Sequence, residues 1–260
     1  SKINKASIPN NLSPADFNIY FANVGSKAVN EINQDLSNNG GNGKVPWKGP
    51  ESIYNFHLNY TNTETVCKIL KQLPLKSSCD VLNFDSKLLK CSANIIAPYL
   101  VKIINMSIEG EVVLADWKIA RVTPIFKGHG DLDDPSNYRP ISIICHIGKL
   151  VEKIILDQLV IYLEKHDFIT KDQSAYLKGH STQTSLHKMV DGWIDNINDG
   201  LLTGVCFIDI KKCFDTINHS LLLQKLDKYG IRNNELKWFT SYLQNRKQKV
   251  QNYSVHMSHP

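Results

Sequence analysis

Two carboxylates stand out by position among the side chains that could do chemistry. In "GVCFIDIKKCFDTINHSLL", from Gly204 to Leu222, Asp209 closes a run of β-forming apolar residues and Asp215 follows six positions later. With a period of two, Val205, Phe207 and Asp209 share one face of a strand, and Cys206, Ile208 and Ile210 the other. Both faces are apolar until Asp209, so the carboxylate is expected to surface where a strand covered on two sides meets its following turn. A carboxylate in that place can cap a turn or do chemistry, and position alone does not choose. Asp215, which begins the turn, reads more simply as a cap. A second candidate pair is cationic: Lys127 and Arg139 flank the polar loop "GHGDLDDPSN" and could project from one finger, or simply be solvated. The six cysteines, Cys67, Cys79, Cys91, Cys145, Cys206 and Cys213, form no C-x-x-C pair, and no histidine lies at zinc-ligand spacing from them. Reduced thiols in a reducing compartment are the expectation.

Charge adds a second constraint. The net charge is +5, but residues 201 to 260 hold nine Lys/Arg against four Asp/Glu while residues 1 to 200 hold 21 of each. All of the excess is in the last 60 residues, which fits either a solvated basic face or a polyanionic partner such as nucleic acid. No apolar run approaches the roughly 18 residues that a membrane span needs, and the start at Ser1, without a cationic segment and apolar core, suggests a cut N-terminus. At 260 residues with 42% hydrophobic content, one large domain or two modest ones are expected.

The elements that must position these groups can be read from periodicity. Ser13 as N-cap and Pro14 at the first helical position precede the apolar set Phe17, Tyr20, Phe21 and Val24, a helix that "SNNGGNGKVPWKGP", 37–50, ends as a flexible linker. Further helices are expected from Thr63 to before Pro74, over Asp85 to Lys90 and over Ile95 to Ile108, so the first hundred residues are mainly helical. Then "KIARVTPIFKG" and "YRPISIIC" read as a β-hairpin with a long tip, Pro124 and Pro140 confining both strands to edges. Two amphipathic helices follow, Gly148 to Lys165 and Ser181 to Ile197, the second with Leu186, Val190, Trp193 and Ile197 on one face. A turn at "NDG" leads into the strand of Asp209, and a helix from His219 to Tyr229, closed by Gly230, supplies part of its cover.

The series "WKIARVTPIFK", "PSNYRPISII", "GKLVEKIILDQLVIYL", "QSAYLKGHSTQTSL", "FIDIKKCFDTINHSLLLQKLDKYGI" and "WFTSYLQNRKQKV" resembles, in order and spacing from Asp116 to Val250, the fingers and early palm of a reverse transcriptase from a non-LTR, LINE-like retrotransposon of the jockey-related kind. The preceding "LPLKSSCDVLNFDSKLL" is similar to the extension that comes before the polymerase in such elements. The resemblance implies an α+β fold: right-hand polymerase fingers and a partial palm over residues 111–260, after a mainly helical extension over 1–110.

It also implies RNA-directed DNA polymerisation, in which dNTPs are added to a primer 3′-hydroxyl with two Mg²⁺ ions, or Mn²⁺ in their place. Asp209 becomes the first metal-binding and catalytic carboxylate, with the backbone carbonyl of Ile210 a further ligand; Mg²⁺ prefers such hard oxygens. Lys127 and Arg139 take the places that contact the triphosphate. Phe214 takes the place of the aromatic beneath the sugar, where a ring clashes with a 2′-hydroxyl, its bland alternative being core packing. Arg246, Lys247 and Lys249 would track template or primer phosphates. The implied partners are an RNA template, a DNA primer, dNTPs and the element's RNA as a ribonucleoprotein, in cytoplasm and nucleus, with no membrane.

The sequence also departs from that pattern. Ala175 and Leu177 stand where many relatives have Gly and Arg, and Cys213 where they have Ala. After "KQKV" the chain reads "QNYSVHMSHP" in place of a Pro-Gln-Gly segment and an Ala-Asp-Asp hairpin, and no thumb, endonuclease or zinc knuckle is present. A fragment that is inactive by itself is the expectation, and the alternative is a non-catalytic nucleic-acid-binding remnant of a decayed element.

Overall fold

The computed structural model describes residues 11–38, 49, 51–75, 79–210 and 212–250. The linker expected over 37–50 and the terminal "QNYSVHMSHP" lie almost wholly outside them.

Four helices come first. Helix α1, Pro14–Asn38, opens as its sequence asks: the Ser13 hydroxyl accepts from the Asp16 N–H at 3.3 Å, and the Asp16 carboxylate accepts from the Ser13 N–H at 2.8 Å. Hydrogen bonds from the Ser13 hydroxyl and N–H hold the Asp16 carboxyl below the usual carboxylate range. Helix α2, Thr63–Lys71, is capped by Asn62, and α3, Ser86–Cys91, by Asp85, each side chain taking an orphan N–H of the first turn. Helix α4, Ala93–Glu109, buries Ala97, Leu100 and Ile104.

Strands β1, Ile119–Phe126, and β2, Tyr138–Ile144, form the expected antiparallel hairpin, with Pro124 opposite Pro140. Helices α5, His146–Lys165, α6, Thr182–Asn198, α7, His219–Lys228, and α8, Asn233–Leu243, follow. The chain then returns as β3, Lys247–Val250, which pairs in parallel with the first half of β1 and gives the sheet order β2-β1-β3. The basic stretch "NRKQKV", to which the sequence assigned no element, ends in that strand. One expectation is corrected: β1 is central although it contains Pro124. The reason is register: β3 pairs only with Ile119 to Val122, so the proline lies past the doubly paired stretch and costs no bond on that side.

A larger correction concerns Gly204 to Ile210. Residues 201–210 have no regular secondary structure, and every one is exposed, Phe207 by 77% and Ile208 by 85%. Alternating apolar residues make a strand only when a neighbour accepts the ladder bonds and a layer covers the face. Among the described residues neither is supplied. Helix α6 forms with a full capping box between Ser181 and Thr184, yet buries no residue, and its face is open at Leu186 and Ile197.

Two cores result. The larger joins Phe56, α2, α4, α5 and α8 around Trp238, whose indole N–H donates to the Ser107 hydroxyl at 3.2 Å, so its one polar atom is satisfied. This core crosses residue 110, with Ile104 on one side and Leu150 on the other. The smaller lies between α1 and the sheet: Phe17 and Phe21 against Val122 and Tyr138, with the Phe17 and Tyr138 rings edge to face at 4.8 Å.

The segment 51–58 is pinned between the halves of the larger core. The Ser52 N–H donates to the Lys228 carbonyl at 2.7 Å and the Phe56 N–H to the Gly230 carbonyl at 2.9 Å. The Tyr162 hydroxyl donates to the Tyr229 carbonyl at 2.7 Å beside them. Gly230, at φ +88°, has neither the backbone conformation nor the room for a side chain there, since the Tyr54 carbonyl and Tyr162 hydroxyl occupy the space.

Candidate nucleotide and nucleic-acid site

The hairpin positions its two expected cations differently. Lys127 follows β1, its N–H donating to the Asn137 carbonyl at 2.8 Å to close the loop and its ammonium to the Ser136 carbonyl at 2.6 Å. Asp134 lies in the same loop, its carboxyl held below the usual range first by bonds from the Ser136 hydroxyl and N–H, then by the Lys127 charge. Arg139 stands exposed on β2, in register with Ile125.

Register extends this to a surface. Alternation puts Val122, Phe126, Tyr138 and Val250 toward α1, and so puts Arg121, Arg139, Lys247 and Lys249 on the opposite face, Arg121 being the register partner of Lys249. Lys247 and Lys249 are exposed, and the Arg121 guanidinium donates to the Cys79 carbonyl at 3.0 Å. Four cations thus share one sheet face that α1 does not cover. Arg121 was missed in the sequence, where a single arginine in an apolar strand carries no signal until β3 is seen to lie beside it.

Arg246 is placed otherwise. Its guanidinium lies over the Tyr242 ring, 4.7 Å from the centroid, donates to the Tyr242 carbonyl at 3.2 Å and comes within 3.9 Å of the Glu152 carboxylate. The Tyr242 hydroxyl donates to Glu152 at 2.6 Å, and its pKa is pushed up to about 12 by burial first and then by that bond. Arg246 is therefore part of a packed network that anchors the start of β3.

The residues read from the Asp209 stretch are exposed. Asp209 and Ile210 lie in the irregular segment 201–210, Ile210 being 63% exposed. Phe214 lies in the turn 212–216 and is 68% exposed, its ring meeting that of Tyr176 edge to face at 5.9 Å. Among the described residues it takes no part in either core. The Asp215 N–H donates to the Lys212 carbonyl at 2.9 Å within this turn, and the cap of α7 is Asn218, which accepts from the Leu221 N–H at 3.1 Å.

A Mg²⁺ site needs several hard oxygen ligands, and among the described residues no three Asp, Glu, His or Cys side chains converge. Asp209 has too few carboxylates beside it, so these residues do not by themselves fit a two-metal centre. The structure brings together the hairpin, β3 and, through α1, the turn 212–216; it does not bring Asp209 into a cluster.

Comparison with known proteins gives this surface its context. The profile of the reverse transcriptase (RNA-dependent DNA polymerase) family matches residues 127–258. The chain is similar to the probable RNA-directed DNA polymerase from transposon BS of Drosophila melanogaster, 27% identical over 74% of this chain and 21% of that protein. It is also similar to the RNA-directed DNA polymerase from mobile element jockey of the same organism, 26% identical over 65% of this chain and 18% of that protein. The Retrovirus-related Pol polyprotein from type-1 retrotransposable element R2 of Popillia japonica is 30% identical over 49% of this chain and 17% of its own length. The chain spans about a fifth of the length of these relatives. Such a family match, over half of the residues and including Lys127, Arg139, Asp209 and Phe214, makes this chain a member of the reverse transcriptase family.

Proposed function

We propose that this chain is the nucleotide- and template-facing part of an RNA-directed DNA polymerase of a non-LTR retrotransposon, its fingers being the hairpin and β3. The observation that carries this reading is the sheet face that gathers Arg121, Arg139, Lys247 and Lys249, with Lys127 at its rim, in or beside the region the family profile matches. Phosphate oxygens are the natural partners of such a face, because charge-assisted bonds neutralise them and release their counterions.

In this reading Lys127 and Arg139 take the triphosphate and Phe214 excludes a 2′-hydroxyl from the sugar position. Asp209, with the carbonyl of Ile210, supplies one share of a Mg²⁺ site whose other carboxylates the described residues do not contain. The ions, when bound, would activate the primer hydroxyl. RNA template, DNA primer and dNTPs are the corresponding partners. The second reading, a nucleic-acid-binding remnant without catalysis, is favoured by the isolation of Asp209.

Binding of a labelled RNA–DNA duplex to the chain over a salt series tests the shared part. Affinity should fall steeply with salt, and neutralising Arg121, Lys247 and Lys249 to Gln should reduce the log–log slope by about 0.9 for each phosphate that is no longer neutralised. Salt-independent binding, or an unchanged slope in the triple variant, would remove the proposal. Primer extension on an RNA template separates the two readings.

A further inference from the structure

Helix α1 lies outside the residues that the family profile matches, yet it touches two separate parts of them. On one side Phe17 packs on Tyr138 of the hairpin, with Phe21 in the same core, and the Asn18 carbonyl accepts from the Gln248 side chain of β3 at 3.5 Å. Just before the helix, the Asn11 amide donates to Asp133 in the hairpin loop at 3.0 Å.

On the other side α1 meets the turn 212–216. The Lys212 ammonium lies 6.0 Å from the Tyr20 ring centroid, and Gly25 faces the Asp215 carbonyl so closely that a β-carbon has no room. Gly25 is in mid-helix, where glycine is a poor helix former, so the close approach to Asp215 supplies the reason for it. Tyr20 stands between the two parts: burial first, and then the charges of Asp134 in the hairpin loop and Asp215 in the turn, raise its phenol above the usual range.

From this bridging we infer that α1 is a strap that sets the spacing between the finger hairpin and the turn bearing Phe214, with Tyr20 and Gly25 as its positioning residues. The inference rests on the nucleotide site proposed above, since the two parts it ties carry that site's triphosphate-contacting and sugar-contacting groups. The strap lies on the far side of the sheet from Arg121, Lys247 and Lys249, so it does not itself cover the cations proposed to track duplex phosphates. It should therefore govern nucleotide affinity and leave duplex affinity alone.

Gly25→Ala is the decisive variant because its two expected effects oppose each other: alanine favours the helix, while its methyl displaces the turn. Hydrogen exchange on the 260-residue chain should show the Asp215 and Thr216 amides, both bonded to the Lys212 carbonyl, exchanging at least about tenfold faster, with α4 and α8 unchanged. Tyr20→Leu, which keeps an apolar residue and loses the ring beside Lys212, should act in the same direction, and Ile19→Ala, at an exposed position, should not. In parallel, affinity for a fluorescent dATP analogue with Mg²⁺ should weaken about threefold to tenfold while RNA–DNA duplex binding holds. Unchanged exchange in the turn overturns the strap. Faster exchange with unchanged nucleotide affinity overturns its positioning role. A parent chain that binds duplex but no nucleotide refutes the nucleotide site, and the exchange arm then still decides whether α1 holds the turn.

Discussion

At the scale of single residues, the groups with the most bonds are not the ones the sequence advertises. Asp80 is 2% exposed, and its carboxylate accepts from the N–H groups of Leu82 at 2.9 Å, Phe84 at 2.9 Å and His146 at 2.7 Å. It thus fixes the turn before α3 to the start of α5. Asp80→Ala strands these buried donors and should lower stability by about 3 kcal/mol or more, read as a shift in the chemical denaturation midpoint. A change under about 1 kcal/mol would mean that water reaches all of the freed N–H groups. Tyr242 gives a pH signature. Its folded pKa of about 12 lies above the ordinary value of 10.0, so the fold favours the protonated phenol. That contribution is whole below pH 10 and is lost as pH rises toward 12. Tyr242→Phe should therefore flatten the fall in denaturation midpoint across this window, and an equal fall in both proteins would place its cause elsewhere. Phe214, by contrast, is exposed and touches Tyr176 alone among the aromatic rings described. Phe214→Val in a chimera with the jockey polymerase should raise rNTP use relative to dNTP, and unchanged discrimination would end the sugar-selection reading.

At the scale of elements, legibility followed how local the determining forces are. Ser13, Pro14, Asn62, Asp85 and Ser181 bond within their own first turns or fix the backbone there, so helix starts could be read from neighbouring residues. The β1–β2 hairpin was legible for the same reason, its strands being joined by one loop. Partnership at long range was not. "KQKV" became β3 because β1 offers it a parallel edge far earlier in the chain, Ile119 pairing with Lys247, and nothing within the four residues shows that. The Asp209 stretch failed in the opposite direction: its alternation asks for a sheet, and among the described residues none reaches it. Candidate site residues were legible as types and spacing, but the grouping of Arg139, Lys247 and Lys249 with Arg121 on one sheet face, and the seat of α1 on the other, depended on these pairings. Helix α6 tests whether an amphipathic pattern is a core in fact. With Leu186 at 54% and Ile197 at 68% exposure, the double change to Lys should move stability by less than about 0.5 kcal/mol. Ile154→Ala in the larger core should cost about 2 to 5 kcal/mol. Comparable losses from both would show that α6 is covered in solution.

At the scale of the whole molecule, stability and solubility are set in different places. The larger core ties α2, α4, α5 and α8 together and takes nothing from residues 201–210, so that segment can change without disturbing the fold. Association between copies is expected to depend on it for the same reason. Val205, Phe207, Ile208 and Ile210 are exposed in a stretch of seven residues with one charge, Asp209, and no proline, and their backbone has no ladder partner among the described residues. A β-prone segment of this kind can take its missing partners from a second copy, which gives intermolecular pairing a driving force that grows with concentration. Ile208→Lys places a charge in the middle of the segment, where two copies brought into register would repel each other. The variant should scatter less light than the parent at equal high concentration and keep the same denaturation midpoint, because Ile208 is 85% exposed and supports neither core. Equal scattering with an unchanged midpoint would move the source of association to the open face of α6, where Leu186→Lys with Ile197→Lys would then be the change that suppresses it.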